Sequence, residues 1–150
     1  MSQRAALFKT ERDEVLTLVR LVIGIVMFAH GAQKLLGWFG GHGPSWTMEK
    51  WTAWFGFHPV VTGSVILAEF VASLALMVGF CSRVMAVVTL VIMVGACYVV
   101  HFKWGFYMNW YGEPGRGEGF EYHLILASLC VVIAAKGSGR WSVDRMLHGS

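Results

Sequence analysis

Charge is scarce in this chain. Asp, Glu, Lys and Arg make up 14% of its 150 residues, against about 25% in an ordinary soluble domain. The hydrophobic share reaches 56%, where such domains hold roughly 45–50%. Water is thereby excluded as the solvent for most of the chain. The formal net charge of +3 is scattered, with no basic run able to track phosphates or anchor a peripheral protein, which excludes a nucleic-acid partner. Cysteine is sparse too. Cys81, Cys97 and Cys130 stand far apart, without a CxxC pair or zinc-ligand spacing, so a dithiol redox motif is absent. Cys97 and Cys130 fall in hydrophobic stretches, where a free thiol serves as a small buried hydrophobe, and Cys81 falls in a short turn. No flavin, haem-attachment or iron–sulfur motif is visible, and no HxxH, ExxH or HExxH spacing points to a metal.

What the chain has instead is long apolar runs. About 20 residues cross a hydrocarbon core of ~30 Å, so residues 1–150 hold four crossings with short connections and no separate soluble domain. The runs predict helices over about 15–37, 60–80, 84–101 and 120–136. The expected fold is all-α, an integral membrane four-helix bundle. The N-terminal basic residues followed by an apolar run mimic a secretory signal. Glu11, Asp13 and Glu14 interrupt the basic region, and His30, Gln33 and Lys34 stand where a cleavage site would need small residues, so the first helix is expected to stay attached.

A connection of only Cys81, Ser82 and Arg83 forces a tight hairpin on one side of the bilayer. The other two connections lie opposite and are aromatic. One carries Trp46, Trp51, Trp54, Phe55 and Phe57, which suits a helix lying at the interface. The other carries Trp104, Phe106, Tyr107, Trp110 and Tyr111 before a turn with Pro114. The hairpin side has Arg4, Lys9, Arg12, Arg83, Lys136, Arg140 and Arg145, an excess that predicts both termini in the cytoplasm and the aromatic loops outside. Ser64, Ala68 and Ala72 offer a small-residue seam on the second helix. Arg20, near the cytoplasmic end of the first helix, is expected to snorkel or to pair with lipid phosphate.

Ionisable groups in hydrocarbon cost a few kcal/mol and normally face the bundle interior. His30, Gln33 and Lys34 stand at i, i+3 and i+4, on one face of the first helix. Glu69 lies roughly 14 Å below the outer end of the second, at the depth of His30. His101 closes the third helix, and Glu121, Tyr122 and His123 open the fourth. Four helices thus bring polar groups to the outer half. Blander readings stand beside this one: Lys34 snorkels to headgroups, Glu69 is a neutral acid bonded for packing, and His42 and His58 are ordinary interface residues.

HGAQKL at His30–Leu35, FGGHG beginning at Phe39, Glu69, VHFKWGFYMNW at Val100–Trp110, GEGFEYHL at Gly117–Leu124 and WSVDRML at Trp141–Leu147 together resemble the DoxX family of small bacterial membrane proteins. The resemblance covers nearly the whole chain. It implies residence in the bacterial inner membrane and redox work. One branch resembles a subunit of thiosulfate:quinone oxidoreductase, and other members are associated with membrane complexes that handle thiols and oxidative stress. Related vitamin K reductase-like proteins use a cysteine pair that this chain lacks, so no disulfide relay is implied. The expected function is that of a quinone-interacting oxidoreductase subunit fed by a partner enzyme. Glu69, His30 and His123 would handle protons, with Gln33, Lys34, His101, Glu121 and Tyr122 lining the ligand site. The competing readings are a scaffold that recruits a partner redox enzyme, with or without self-association, and a small solute or metal carrier.

Overall fold

A computed structural model describes residues 8–148, and among them there is no strand. Among the described residues the helices follow in order: α1 Glu14–Leu35, α2 Gly43–Phe55, α3 Pro59–Val78, α4 Ser82–Ala96, α5 Glu121–Lys136 and α6 Val143–His148. Helix α4 runs on through a π turn at Cys97–His101 and a 3-10 turn at Phe102–Trp104. The four predicted segments are all present, with ends shifted by a few residues. Arg4, counted in the orientation argument, lies outside the described residues.

Local chemistry explains the ends. The Asp13 side chain accepts from the Val15 N–H at 2.7 Å and starts α1, as a carboxylate at a helix N-cap does. His58 caps α3 through Nδ1, followed by Pro59, which needs no N–H partner. Gly79, at φ 74°, closes α3 in the left-handed conformation that a glycine adopts freely.

The long helices α1, α3, α4 and α5 form a ring, each packed on the next, with α1 against α5 closing it. Leu16, Ile23, Met27, Leu76, Ala86, Met93, Leu126, Cys130 and Ile133 fill the centre. The outer faces are also apolar: Leu18, Ile25, Leu67, Val71, Val87, Val91, Ile125 and Val131 are all exposed. Helices apolar all round are made for lipid. Three segments, Glu14–Leu35, Pro59–Val78 and Ser82–Trp104, are long and apolar enough to cross a membrane. Helix α5, with 16 residues, rises about 24 Å. The connection before it folds down onto its first turn, where Phe106 O accepts from Glu121 N at 2.9 Å and Gly105 O from Phe120 N at 3.2 Å. Helix α2 buries only Gly43 and Thr47, and its linked aromatic rings, Trp46–Trp54 and Trp51–Phe55 among them, fit the expected interfacial helix.

Two expectations are corrected by the packing. The small-residue seam on α3 holds at Ala72, which is 1% exposed, but not at Ser64, which is exposed and bonds only its own helix at Val60 O, and the closest backbone approach is made by α1. A Cβ on Gly24 would fall 3.0 Å from Met77 N, and one on Gly31 2.9 Å from Phe70 Cα. These glycines, seven residues apart and so on one face of α1, let the two backbones touch. Arg20, expected to snorkel, is 1% exposed. Its Nε donates to Ser138 O at 3.0 Å, its NH2 to Trp141 O at 2.7 Å, and its NH1 to Met77 O at 2.6 Å and to Leu76 O. The last carbonyls of a helix have no partners of their own and carry partial negative charge, so a guanidinium seated there offsets its own desolvation. Arg83 repeats the device on α5, donating to Ala134 O at 2.7 Å and Ala135 O at 2.8 Å. Asp144, 2% exposed, does the converse at the start of α4, accepting from Cys81 N at 2.6 Å and Ser82 N at 2.9 Å.

Candidate functional site

Gly31 sets the geometry of the half of the bundle opposite the α3–α4 hairpin. Because α1 meets α3 there without side chains between them, residues one turn further along α1 hang directly over Glu69. Side chains lean toward the N-terminus of their own helix. The helices are antiparallel, so Lys34 leans inward and Glu69 leans outward, and they meet. Lys34 Nζ lies 3.0 Å from Glu69 Oε1 and 2.9 Å from Oε2, with the carboxylate 4% and the lysine 22% exposed. Lys34 also donates to His30 O at 3.3 Å. The partner of Glu69 is therefore Lys34 rather than the His30 ring, and Lys34 turns inward instead of snorkelling.

Helix α5 supplies the opposite wall. The Tyr122 ring lies 6.3 Å from that of His30 and 5.4 Å from that of His123, and Glu69 is within electrostatic reach of both His30 and Tyr122. His123 is 7% exposed, and its ring lies 4.1 Å from that of His101, tilted by 38°. The π turn delivers His101 to that place: the Phe102 N–H reaches back five residues to Cys97 O, a wide turn of the kind that recurs at functional positions. His101 Nδ1 lies 2.8 Å from Glu118 O. A carbonyl only accepts, so that nitrogen carries the proton and Nε2 is the free one.

His30, Lys34, Glu69, Tyr122, His123 and His101 thus form a continuous polar band across α1, α3, α5 and the end of α4. Two predicted members stand outside it. Glu121 turns into the loop, accepting from Trp110 Nε1 at 2.6 Å and Met108 N at 3.3 Å. Gln33 donates to Phe39 O at 3.1 Å and holds the glycine-rich turn after α1. His42 packs its ring 4.3 Å from Trp46 and His58 caps α3, so both serve structure. Among the described residues, no three His, Cys, Asp or Glu side chains converge as a metal set.

The band is not self-sufficient. Glu69 Oε2, Tyr122 OH and His123 Nδ1 are buried without a well-formed hydrogen bond, Oε2 touching Lys34 Nζ in poor alignment. Thr62 Oγ1, two turns outward from Glu69 on the same face of α3, is a fourth. A threonine in an apolar run gives no sequence signal, and only its burial at 0% exposure reveals it. Buried polar groups without partners cost about 1–3 kcal/mol each, so several in one place mark where something polar belongs.

Comparison with known families gives a match to DoxX over residues 15–102, a stretch that takes in α1 to the π turn and holds His30, Lys34, Glu69 and His101. Comparison with the curated proteins and with the solved structures gives no match.

Proposed function

The chain belongs to the DoxX membrane family, and from that premise we propose that it is the membrane subunit of an oxidoreductase system that meets the quinone pool at this polar band. The observation that carries the reading is the pair of unpartnered buried atoms, Tyr122 OH and His123 Nδ1, beside the Lys34–Glu69 ion pair. A quinone ring presents two oxygens, each needing a hydrogen-bond partner, and an apolar tail that suits a lipid-facing bundle. Tyr122 OH is a donor for one oxygen. His123 Nδ1 serves an oxygen or a proton, and the Lys34–Glu69 pair adds an ammonium donor and a carboxylate acceptor beside them. Reduction of a quinone takes two electrons and two protons. The chain carries the proton groups but no electron carrier motif, so a partner enzyme supplies the electrons. The excess of Lys and Arg at the end holding the α3–α4 hairpin supports cytoplasmic termini and an outward-facing band in a bacterial inner membrane.

A second reading has its own support. Lys34 and Glu69 join α1 to α3 without any ligand, as a buried pair that fixes helix register would, and a scaffold that recruits a redox enzyme needs no more. The test is to purify the full chain in mild detergent, extract and identify bound quinone, then titrate a short-chain quinone into wild type and Tyr122→Phe. Co-purified quinone, with binding at least about tenfold weaker in Tyr122→Phe, supports the quinone reading. No extracted quinone and no saturable binding refutes it in favour of the scaffold.

A further inference from the structure

At the other end of the bundle, the segment after α5 presents an open cleft of about 680 Å3 whose lining includes Val78, Trp141, Val143, Met146, Arg140 and Arg145. Its floor is held firmly for so short a tail. Trp141 O accepts from Arg20, Trp141 N donates to Thr17 Oγ1 at 3.2 Å, Arg140 N to Asp13 O at 3.0 Å, and Asp144 N to Gly79 O at 2.9 Å. The tail is therefore a platform bolted to α1, α3 and α4 by buried polar bonds. Outward it shows Trp141 at 68% exposure and Met146 at 75%, beside Val78 at 56% on the last turn of α3. Apolar area of that size, at the level where α3 and α4 leave the hydrocarbon, faces lipid rather than water. The charged residues of its lining are Arg140 and Arg145. Arg140 stands 5.7 Å over the Trp141 ring and pairs with Glu14 at 2.7 Å, while the Arg145 guanidinium makes no bond to any described residue.

We infer that this cleft is a binding site for an anionic phospholipid, with the headgroup phosphate on Arg145 and at the edge of Arg140, and an acyl chain along Val78, Val143 and Met146. A guanidinium presents a planar fork of donors that matches phosphate oxygens. A tryptophan ring at headgroup depth accepts the glycerol region on its polar edge and the chain on its face. The site rests on the helices lying in a bilayer. It is independent of the quinone reading, whose residues occupy the opposite end.

The test uses the full chain reconstituted in phosphatidylcholine vesicles containing a minor fraction of phosphatidylglycerol brominated in its acyl chains, and in matched vesicles where phosphatidylcholine is the brominated lipid. The Trp141 signal is taken as the difference between wild type and Trp141→Phe. Brominated phosphatidylglycerol is expected to quench Trp141 at several-fold lower mole fraction than brominated phosphatidylcholine. Arg145→Gln is expected to lose about fivefold of that preference, the worth of roughly one cation at an anionic surface, and Arg145→Lys to keep most of it. Equal quenching by the two lipids in wild type overturns the proposal, as does a preference unchanged in Arg145→Gln. If Arg145→Gln fails to insert, the wild-type comparison decides alone.

Discussion

Replacing Arg20 by methionine removes a cation that four backbone carbonyls share, those of Leu76, Met77, Ser138 and Trp141. Hydrogen bonds to a charged group are worth about 1.5–3 kcal/mol each, so four amount to roughly 6–12 kcal/mol gross. Against this stands the desolvation of a guanidinium that is 1% exposed, several kcal/mol in its own right. Methionine fills similar volume but leaves Met77 O, Ser138 O and Trp141 O without the donors that Arg20 supplies, and Leu76 O with Gly79 N alone at 3.2 Å. The net loss should be about 3–5 kcal/mol, in the range for breaking a buried charged network. Lysine carries the charge but places three donors at one point, where the arginine spreads five across the gap between α3 and the tail, so Arg20→Lys should recover less than half of the loss. Unfolding by sodium dodecyl sulfate titration of the protein in mixed micelles, followed by tryptophan fluorescence, measures both variants against wild type. Stabilities of Arg20→Met within about 0.5 kcal/mol of wild type, the range of an ordinary surface substitution, would refute the reasoning and return Arg20 to the role of a snorkelling side chain.

Gly31→Ala puts a methyl 2.9 Å from Phe70 Cα and should cost about 1–3 kcal/mol by overpacking. Gly95→Ala, where a Cβ meets nothing within 4 Å, should leave stability in the same detergent titration unchanged or raise it by the helix preference of alanine. Lys34→Met leaves the carboxylate of Glu69 buried without its cation and should destabilise by about 3–5 kcal/mol, whereas the double variant with Glu69→Gln should cost clearly less than the two single changes added. Additive losses in that double-mutant cycle would mean that the ion pair does not couple α1 to α3. Burial first, and the neighbouring Asp144 carboxylate second, hold the Cys81 thiol above its ordinary pKa. Maleimide should therefore label Cys81 slowly at neutral pH and faster as pH rises beyond the usual thiol range, because only the thiolate reacts. Asp144→Asn should shift that profile to lower pH, and a profile indifferent to residue 144 would count against the contact. The same substitution weakens the cap on α4 and should lower stability by about 1–3 kcal/mol.

Much of this architecture was legible before any coordinates. Runs of about 20 apolar residues need no tertiary context to be read as membrane helices, because lipid leaves backbone polar groups no partners outside the helix itself. The aromatic stretch at 46–57 was legible as an interfacial helix for a similar reason, and His30, Lys34, Glu69, Tyr122, His123 and His101 were legible as a one-sided polar group. Arg20 was misread, since helical spacing tells which residues share a face and says nothing of which neighbour covers that face. The acceptors of Arg20 lie 56 to 121 residues away in sequence. The seam was extended to Ser64, and the glycines of α1 were left out of it, for the same reason. Ser64, Ala68 and Ala72 repeat every four residues, a pattern as regular as Gly24 and Gly31, and only the packing distinguishes them.

By itself, then, the sequence determined the solvent of this protein, the order of its helices and the membrane face toward which its ionisable groups gather. These follow from composition and period, which act along the chain. The tertiary structure decided the pairing: Lys34 with Glu69 instead of His30 with Glu69, Glu121 and Gln33 turned away into their loops, Arg20 and Arg83 set on helix ends, and Thr62 Oγ1, Tyr122 OH and His123 Nδ1 buried without a partner. Those outcomes depend on how closely α1 and α3 approach at Gly31 and on where the π turn aims His101, distances of an ångström or two that act across the chain.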